Sequence, residues 1–320
     1  MGKLLKVIKN PKKIIDFLAY HKCFNWLSDK QYLKLMYWTY IGKKLNLENP
    51  KTFNEKLQWL KLNDRKDIYT TMVDKYEVKK YVADRIGEEY IIPTLGVWDN
   101  FDDIDFEKLP NQFVLKCTHD SGGLVICKDK SEFDINSAKK KINRCLKTNY
   151  YKSCREWPYK NVRPRIIAEE FLDNISSVDL EDYKLMCFNG KVKCSFVCSE
   201  RFSDLGLRVT FYDQDWNVMP FERHYPKSDN PIPKPQGYDE MVNLAEILSN
   251  NTLFSRIDLY YVNQRVYFGE ITLFPGSGFE EFTPEEWDAE LGNWINLPTS
   301  RGVNSNPIYD CSFLLYEEAA

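Results

Sequence analysis

Residues 256–272 read RIDLYYVNQRVYFGEIT and predict two β-strands joined by a short turn. Because side chains alternate along a strand, Arg256 and Asp258 share one face, and Glu270 and Thr272 share one face of the neighbouring strand. Two carboxylates and a hydroxyl on adjacent strands form an all-oxygen site suited to Mg²⁺. Arg256 beside them would stabilise a negatively charged intermediate. A salt-bridged strand pair without a metal is the alternative reading of these residues.

A second motif is a strand that ends in a lysine and runs into a glycine turn. The apolar run 113–117 contains Lys116 and is followed by Ser121, Gly122 and Gly123, and then by a second apolar run. This order predicts a hairpin whose backbone N–H groups can fold over phosphate oxygens while the lysine neutralises their charge. A plain hairpin with a surface lysine is the alternative.

A third motif is the apolar strand 165–172, which is interrupted by two adjacent acids, Glu169 and Glu170. Alternation places these acids on opposite faces, so at least one of them points away from solvent unless the strand lies at an edge. A strand with free backbone amides can pair with a purine edge while a carboxylate accepts ribose hydroxyls. An edge strand with solvated glutamates fits equally well.

Composition excludes several classes of protein. The 320 residues carry 44 Lys+Arg and 47 Asp+Glu, and the net charge of −3 gives no electrostatic reason to expect nucleic-acid binding. No run approaches the ~18 apolar residues of a spanning helix. Nine cysteines without a C-x-x-C pair indicate a reduced, cytoplasmic protein. Three separated histidines make a zinc site improbable, so any metal should be held by oxygen.

The periodicity of the chain predicts an α+β protein with antiparallel pairing. Helical signals dominate residues 1–88, including a capping box formed by Thr52 and Glu55, and Asn189-Gly190 is a strong hairpin signal. Predicted strands are 90–92, 113–117, 124–127, 166–172, 183–188, 192–199, 207–212, 257–261 and 266–273, and further helices are expected at 136–148 and 238–248. We therefore expect a helical region over 1–88, one subdomain over 89–168 and a second over 169–320.

The first 22 residues form a basic amphipathic element. They contain six lysines and one acid, Asp16, interleaved with apolar residues. Such an element can lie on an anionic membrane face, or it can pack on its own domain with its lysines in water. We expect a cytoplasmic protein in either case, with peripheral membrane contact in the first.

The order of the motifs resembles the ATP-grasp superfamily of carboxylate ligases. P-loop and dinucleotide glycine motifs are missing. Several short segments resemble its TupA-like branch, which is associated with teichuronopeptide and other surface polysaccharides: FNEKLQW at 53–59, DK at 74–75, LP at 109–110, FVLK at 113–116 and GEIT at 269–272. The resemblance covers roughly residues 45–295. It implies two α+β subdomains that grip ATP, preceded by a largely helical region.

The resemblance also implies a role for each candidate residue. On the nucleotide side, Lys116 would contact the phosphates, a flap would form from Ser121, Gly122 and Gly123, and the adenine and ribose hinge would form from Glu169, Glu170, Phe171 and Leu172. On the transfer side, Asp258 and Glu270 would hold Mg²⁺. Lys184 would contact phosphate or substrate, and Arg256 would face the acyl intermediate. Thr272 stands where many members have an asparagine that helps to bind a second metal. The resemblance therefore predicts one metal site and leaves the second open.

The activity implied is an ATP- and Mg²⁺-dependent carboxylate–amine ligase that forms an amide through an acyl phosphate. Its substrates would be a uronic acid of a surface polysaccharide or its precursor and a small amine, such as an amino acid. Arg155, Glu156 and Tyr159 are candidate substrate contacts or members of a structural salt bridge.

Two alternatives to this activity remain. The pairs Asp103-x-Asp105 and Asp213-x-Asp215 fit a metal-dependent glycosyltransferase. An inactive ATP-binding module is the second alternative, and Thr272 alone supports it.

Overall fold

Two main antiparallel sheets and the helices packed on them account for most of the described chain, residues 11–172, 182–200 and 206–298 of a computed structural model. The helices are α1 (Pro11–Tyr20), α2 (Asp29–Ile41), α3 (Phe53–Asn63), α4 (Ile68–Val73), α5 (Glu77–Ile86), α6 (Ile135–Leu146), α7 (Tyr151–Cys154), α8 (Tyr238–Leu248) and α9 (Glu286–Asn293). The strands are β1 (Thr94–Trp98), β2 (Phe113–Cys117), β3 (Leu124–Cys127), β4 (Ile166–Glu170), β5 (Asp182–Phe188), β6 (Lys191–Ser199), β7 (Arg208–Tyr212), β8 (Glu222–Arg223), β9 (Phe254–Val262), β10 (Arg265–Thr272) and β11 (Phe282–Thr283). The expected α+β class is confirmed.

The first sheet has the strand order β1-β4-β2-β3, and all of its pairs are antiparallel. Along β2 the buried residues Phe113 and Leu115 alternate with partly exposed ones, including Lys116. The buried side chains pack against Ile142 of α6 in one apolar core. Lys116 is consequently left on the face of the sheet opposite this core.

The second sheet has the strand order β10-β9-β5-β6-β7, again antiparallel throughout. Both predicted hairpins are confirmed. Asn189 and Gly190 join β5 to β6 with φ values of 50° and 78°, and Asn263 and Gln264 join β9 to β10 with φ values of 50° and 62°. Two consecutive positive φ values are typical of a type I′ turn, whose twist matches that of the flanking strands.

Helices α3 and α5 lie within residues 1–88, the region where the sequence predicts helices. The side chain of Thr52 accepts a hydrogen bond from the backbone N–H of Glu55, and the Glu55 side chain accepts one from the backbone N–H of Thr52, so the capping box is confirmed. Helix α5 ends at Gly87, whose φ is 113°. Phe53 and Leu57 of α3 lie in the same core as the second sheet.

The boundary predicted at 168/169 falls inside β4, so Glu169 and Glu170 belong to the first sheet. The division of the chain into three units remains a prediction.

The strand predicted at 90–92 is wrong. Residues Glu88–Tyr90 form a 3₁₀ turn, and the strand begins only at Thr94. Pro93 lacks a backbone donor and cannot extend a ladder on both sides. The backbone carbonyl of Ile92 instead accepts a hydrogen bond of 2.6 Å from Lys79 Nζ. The apolar residues of this run line a cavity rather than join a sheet.

The N-terminal basic element is described only in part, because Lys3, Lys6 and Lys9 lie outside the described residues. The remainder forms α1, which contacts α2. Among the described residues, no helix has the length and apolar character needed to cross a membrane.

Candidate active site

A cavity of about 220 Å³ brings the two sheets together at one site. Seven of the residues expected at the site line it: Lys116, Ser121, Gly123, Glu169, Lys184, Asp258 and Glu270. The first four come from the first sheet and its hairpin, and the others come from the second sheet. Residues predicted from separate motifs therefore converge in space.

The first sheet contributes the carboxylate of Glu169, which forms ion pairs with two lysines. Glu169 Oε2 lies 2.5 Å from Lys116 Nζ, and Glu169 Oε1 lies 2.6 Å from Lys79 Nζ. Burial alone would raise the pKa of Glu169, but the charges of Lys116 and Lys79 outweigh it and lower this pKa. The carboxylate is thus held ionised and positions both lysines at the cavity wall.

Sequence reasoning missed Lys75 and Lys79 as site residues, although Lys75 belongs to one of the resembling segments. Both line the cavity, and Lys75 Nζ donates to the backbone carbonyl of Asp120 in the glycine hairpin. Lys79 lies in α5, whereas Lys75 lies in the turn that precedes this helix. The two residues give the cavity two further cations.

The glycine turn between β2 and β3 is tightly built at one position. Cys117 N donates to Gly123 O at 2.7 Å, and Gly123 N donates to Asp120 Oδ1 at 2.9 Å. A Cβ on Gly123 would lie 2.6 Å from Cys117 Cβ and Sγ, so a side chain at 123 is excluded without a shift of the turn. Gly122 is exposed, with open space around it.

The second sheet contributes the Arg-x-Asp and Glu-x-Thr pairs. The prediction that the two pairs lie side by side on adjacent strands is confirmed. Asp258 pairs directly with Glu270, and Arg256 with Thr272. Arg256 Nε lies 2.6 Å from Asp258 Oδ1, and Arg256 Nη2 lies 2.9 Å from both Glu270 Oε1 and Thr272 Oγ1. Lys184 Nζ lies 2.5 Å from Asp258 Oδ2. The cluster holds two cations and two carboxylates within hydrogen-bonding range.

The charges of this cluster are set mainly by burial and by close pairing. Burial acts to raise the pKa of Glu270, but Arg256, Lys75 and Lys184 outweigh it and lower this pKa to about 2. Burial would lower the pKa of Lys184, and Asp182 with Asp258 raises it to about 12. Glu270 is therefore anionic and Lys184 cationic at neutral pH.

The cavity offers two carboxylates as oxygen ligands for Mg²⁺. Asp258 and Glu270 are hard oxygen ligands, and Mg²⁺ is commonly held by one or two carboxylates together with substrate phosphates. Within residues 11–172, 182–200 and 206–298 there is no group of three or more His, Cys, Asp or Glu side chains able to hold a metal. A two-carboxylate site beside the lysines Lys116 and Lys184 fits a metal that arrives with a polyphosphate.

Other expected residues lie away from the first cavity. Glu170 is exposed on the opposite face of β4, and its backbone N–H donates to Pro93 O at 3.1 Å. Phe171 and Leu172 are half-buried beyond the end of β4. Because β1 and β2 flank β4 on both sides, its backbone amides are engaged in the sheet. The expectation of free amides within β4 is therefore wrong.

Arg155 and Glu156 have structural partners. Arg155 is buried and donates to Phe24 O at 3.3 Å, and Glu156 is buried and accepts from the Ser277 hydroxyl. Neither residue lines the cavity, and Tyr159 does not line it either. The contacts of Arg155 and Glu156 therefore match a structural role for this segment rather than a role in substrate binding.

The two D-x-D pairs also lie away from the cavity. Asp105 is an exposed residue that pairs with Lys108 at 3.0 Å. Asp213 accepts backbone hydrogen bonds from Asp215 and Asn217, so it caps a turn. Neither pair lines the cavity.

Helix α3 supports the loop that follows β10. Gln58 Nε2 donates to Ser277 O at 2.9 Å and to Gly278 O at 2.8 Å, and Lys61 Nζ donates to Ser277 O at 2.8 Å and to Cys154 O at 3.0 Å. Ser277 in this loop has a φ of 52°, a strained conformation for a residue with a side chain, and these hydrogen bonds hold it. Two further polar residues of the FNEKLQW segment also contact backbone: Asn54 Nδ2 donates to Glu280 O, and Lys56 Nζ donates to Gly292 O and Ile295 O.

We expect Lys61→Met to lower the free energy of unfolding by about 3 kcal/mol or more. The change removes a fully buried cation, so the Cys154 carbonyl loses its hydrogen-bond donor and the buried Glu156 carboxylate loses a nearby positive charge. Urea unfolding followed by circular dichroism measures the change. The matched control is Lys80→Met, whose lysine is 82% exposed and pairs with Asp84. Equal stability of the two variants would show that Lys61 does not hold the loop.

The chain was compared with known proteins. It matches the family model described as TupA-like ATPgrasp over residues 55–296, more than half of its length. The match identifies an ATP-grasp protein, as the sequence resemblance predicted. The chain belongs to the TupA-like ATPgrasp family. No curated protein gave a match.

Solved structures give more distant similarities. D-alanine–D-alanine ligase from Bacillus anthracis complexed with ATP is 16% identical, with 70% of this chain and 65% of that chain covered and a TM-score of 0.40. The corresponding ligase from Helicobacter pylori is 16% identical, with coverage of 78% and 70% and a TM-score of 0.39. Phosphoribosylamine–glycine ligase from Thermotoga maritima is 13% identical, with coverage of 66% and 51% and a TM-score of 0.37. The chain spans 57% of the length of a further D-alanine–D-alanine ligase structure from Bacillus anthracis.

Proposed function

We propose that this chain is an ATP-dependent ligase that joins a carboxylate to an amine through an acyl phosphate. The observation that carries the proposal is the convergence of Lys116 and Lys184 with Asp258 and Glu270 on one cavity. Several cations beside two carboxylates suit a metal–polyphosphate better than they suit any neutral ligand.

In this proposal the first sheet holds the nucleotide. Lys75, Lys79 and Lys116 contact the phosphates, and the turn containing Ser121, Gly122 and Gly123 covers them. Phe171 and Leu172, which follow β4, contact the adenine. Glu169 orients Lys116 and Lys79, because its oxygens lie 2.5 and 2.6 Å from their Nζ atoms. Each oxygen keeps a further lone pair that can accept a ribose hydroxyl.

The second sheet carries the transfer step. Mg²⁺ held by Asp258 and Glu270, with Thr272 beside them, would offset charge on the phosphate oxygens. A carboxylate oxygen of the substrate attacks the γ-phosphorus, and the bond from that phosphorus to the oxygen retained by ADP breaks. The amine nitrogen then attacks the acyl carbon, phosphate leaves, and the amine loses a proton. Arg256 and Lys184 stabilise negative charge on the acyl group.

For the substrates, we propose a uronic acid of a surface polysaccharide or its precursor, and a small amine such as an amino acid. This choice is supported by membership of the TupA-like family and by the resemblance of the FNEKLQW and GEIT segments.

The N-terminal region is proposed to contact an anionic membrane surface from the cytoplasmic side. Phe17, Tyr20 and Trp26 are 59%, 82% and 78% exposed, and exposed lysines, including Lys13 and Lys22, lie near them in the sequence. Exposed aromatic side chains together with lysines are typical of segments that lie at a lipid headgroup region. This contact would bring the ligase to lipid-linked substrates.

The proposed ligase is tested by release of ADP and phosphate from MgATP in the presence of a uronate and an amino acid, without any nucleotide sugar. A glycosyltransferase, the alternative activity, would release no phosphate from ATP under these conditions. Its D-x-D pairs lie away from the cavity, so no contact in the described chain favours it.

A further inference from the structure

The turn that precedes α5 brings Lys75 to the cavity, and its neighbour Asp74 shapes this turn. Asp74 is buried and does not line the cavity. Its Oδ1 accepts a hydrogen bond from Tyr76 N at 2.9 Å and one from Glu77 N at 3.3 Å. An aspartate that binds the backbone N–H groups following it fixes the local turn. Asp74 therefore sets the backbone conformation of Lys75, which lies between it and these N–H groups.

The second oxygen of Asp74 holds a largely buried arginine. Asp74 Oδ2 lies 2.8 Å from Arg165 Nη2, and the same nitrogen lies 2.9 Å from Glu77 Oε1. The Arg165 side chain is 12% exposed, and its Nε has no hydrogen-bond partner among the described residues. Glu77 is 51% exposed, so Asp74 is the buried partner of this arginine. Loss of the Asp74 charge would leave a buried cation poorly compensated.

The same arginine and the same turn hold the residue from which the glycine hairpin starts. Thr118 follows β2 directly and is fully buried. Its backbone N–H donates to Arg165 O at 2.9 Å, its hydroxyl donates to Arg163 O at 3.1 Å, and its carbonyl accepts from Lys75 N at 3.0 Å. The turn, the hairpin and the segment before β4 are thus joined at one residue.

The Lys75 side chain lies between the hairpin and the second sheet. Its Nζ donates to the backbone carbonyl of Asp120 in the hairpin. Burial acts to raise the pKa of Glu270 on the second sheet, and the charges of Arg256 and Lys75 are among those that outweigh it. A small movement of the Lys75 backbone would therefore move its ammonium group relative to both sides of the cavity.

We propose that Asp74 is a positioning residue that acts through Lys75, an inference that rests on the proposed function. Asp74 and Arg165 hold the turn so that the Lys75 ammonium group lies where the nucleotide phosphates bind. Neither Asp74 nor Arg165 lines the cavity, so neither contacts the nucleotide. The two residues of the DK segment thus have separate tasks: the lysine binds phosphate, and the aspartate holds the lysine in place.

The test is a double-mutant cycle on the binding of a non-hydrolysable MgATP analogue, measured by titration calorimetry. Asp74→Asn keeps the shape and an acceptor for the backbone N–H groups but removes the charge that faces Arg165. Arg165→Gln removes the opposite charge. We expect each variant to weaken binding about fivefold in the presence of Lys75, and by at most about twofold in a Lys75→Ala background. Circular dichroism checks folding, and Arg165→Gln alone completes the cycle if Asp74→Asn does not fold.

Arg163→Gln is the matched control. Arg163 also offers its backbone carbonyl to Thr118, but its side chain is 67% exposed and pairs with Asp99, so this variant should bind the analogue normally. A purely structural role of Asp74 would weaken binding by the same factor with and without Lys75. That result, or unchanged binding in the folded variants, would show that the inference is wrong. If the unmodified protein does not bind the analogue, the proposed function itself fails, so the two failures are distinguishable.

Discussion

Asp258→Asn and Glu270→Gln are each expected to reduce turnover by roughly 10²-fold or more at physiological Mg²⁺, with the protein still folded. The two residues pair directly across β9 and β10, so both carboxylates reach the same point of the cavity. Each neutral amide keeps the side-chain shape and removes one charge from the proposed metal site. The transition state for phosphoryl transfer should then lose about 3 kcal/mol or more. Steady-state ADP release measures the effect, and circular dichroism checks the fold.

Asp215→Asn is the matched control for these variants. Asp215 is an exposed acid of a D-x-D pair and lies outside the cavity, so its replacement should leave ADP release unchanged. Thr272→Asn should also have a mild effect, because the change restores the residue found in many ATP-grasp proteins. Near-normal turnover in both acid variants would show that these carboxylates only form a salt bridge between the strands and do not hold a catalytic metal.

Lys116→Ala is expected to weaken ATP binding by about 10- to 100-fold, equivalent to ~1.5–3 kcal/mol for a charge-assisted hydrogen bond. Lys116 leaves β2 on the face opposite the apolar core and lines the cavity, so its loss removes the proposed phosphate contact and no core packing. Glu169 keeps Lys79 as a partner, so the fold should survive. Titration calorimetry measures the affinity.

The control for Lys116 is Lys139→Ala. Lys139 lies on α6 in the same part of the chain and pairs with Asp102 at 2.5 Å, away from the cavity. Its replacement should not change nucleotide affinity. If Lys116→Ala binds ATP as the unmodified protein does while remaining folded, the phosphate-binding role of Lys116 is wrong.

The features that the sequence predicted well are local. Strands β2 and β3 have the predicted ends because apolar alternation stops at turn residues, and the Asn189-Gly190 turn imposes its own hairpin. The strand ends and this turn depend only on neighbouring residues. The facing of Arg256 and Asp258 with Glu270 depends on more than strand alternation, because a register shift between Phe268 and Glu270 brings Asp258 opposite Glu270.

The features that the sequence did not predict depend on contacts between distant segments. The apolar run at 90–92 looked like a strand, but Pro93 and the Lys79 hydrogen bond place it at the cavity wall. The pairing of Glu169 with Lys79 and Lys116 could not be predicted from spacing alone, because the three residues come from different segments. A second cavity, lined by residues that include Lys184, Arg223 and Arg256, combines strands β5 to β9 with the loop after β10, so no single segment carries its signal.

The most direct test of the proposed reaction is the fate of oxygen from the carboxylate substrate. A uronate labelled with ¹⁸O in its carboxylate is incubated with MgATP and the amine, and the products are examined by ³¹P NMR. Attack of the carboxylate on the γ-phosphorus predicts one ¹⁸O in the released phosphate, with ADP as the nucleotide product. Label in AMP, or phosphate without label, would contradict the acyl phosphate route.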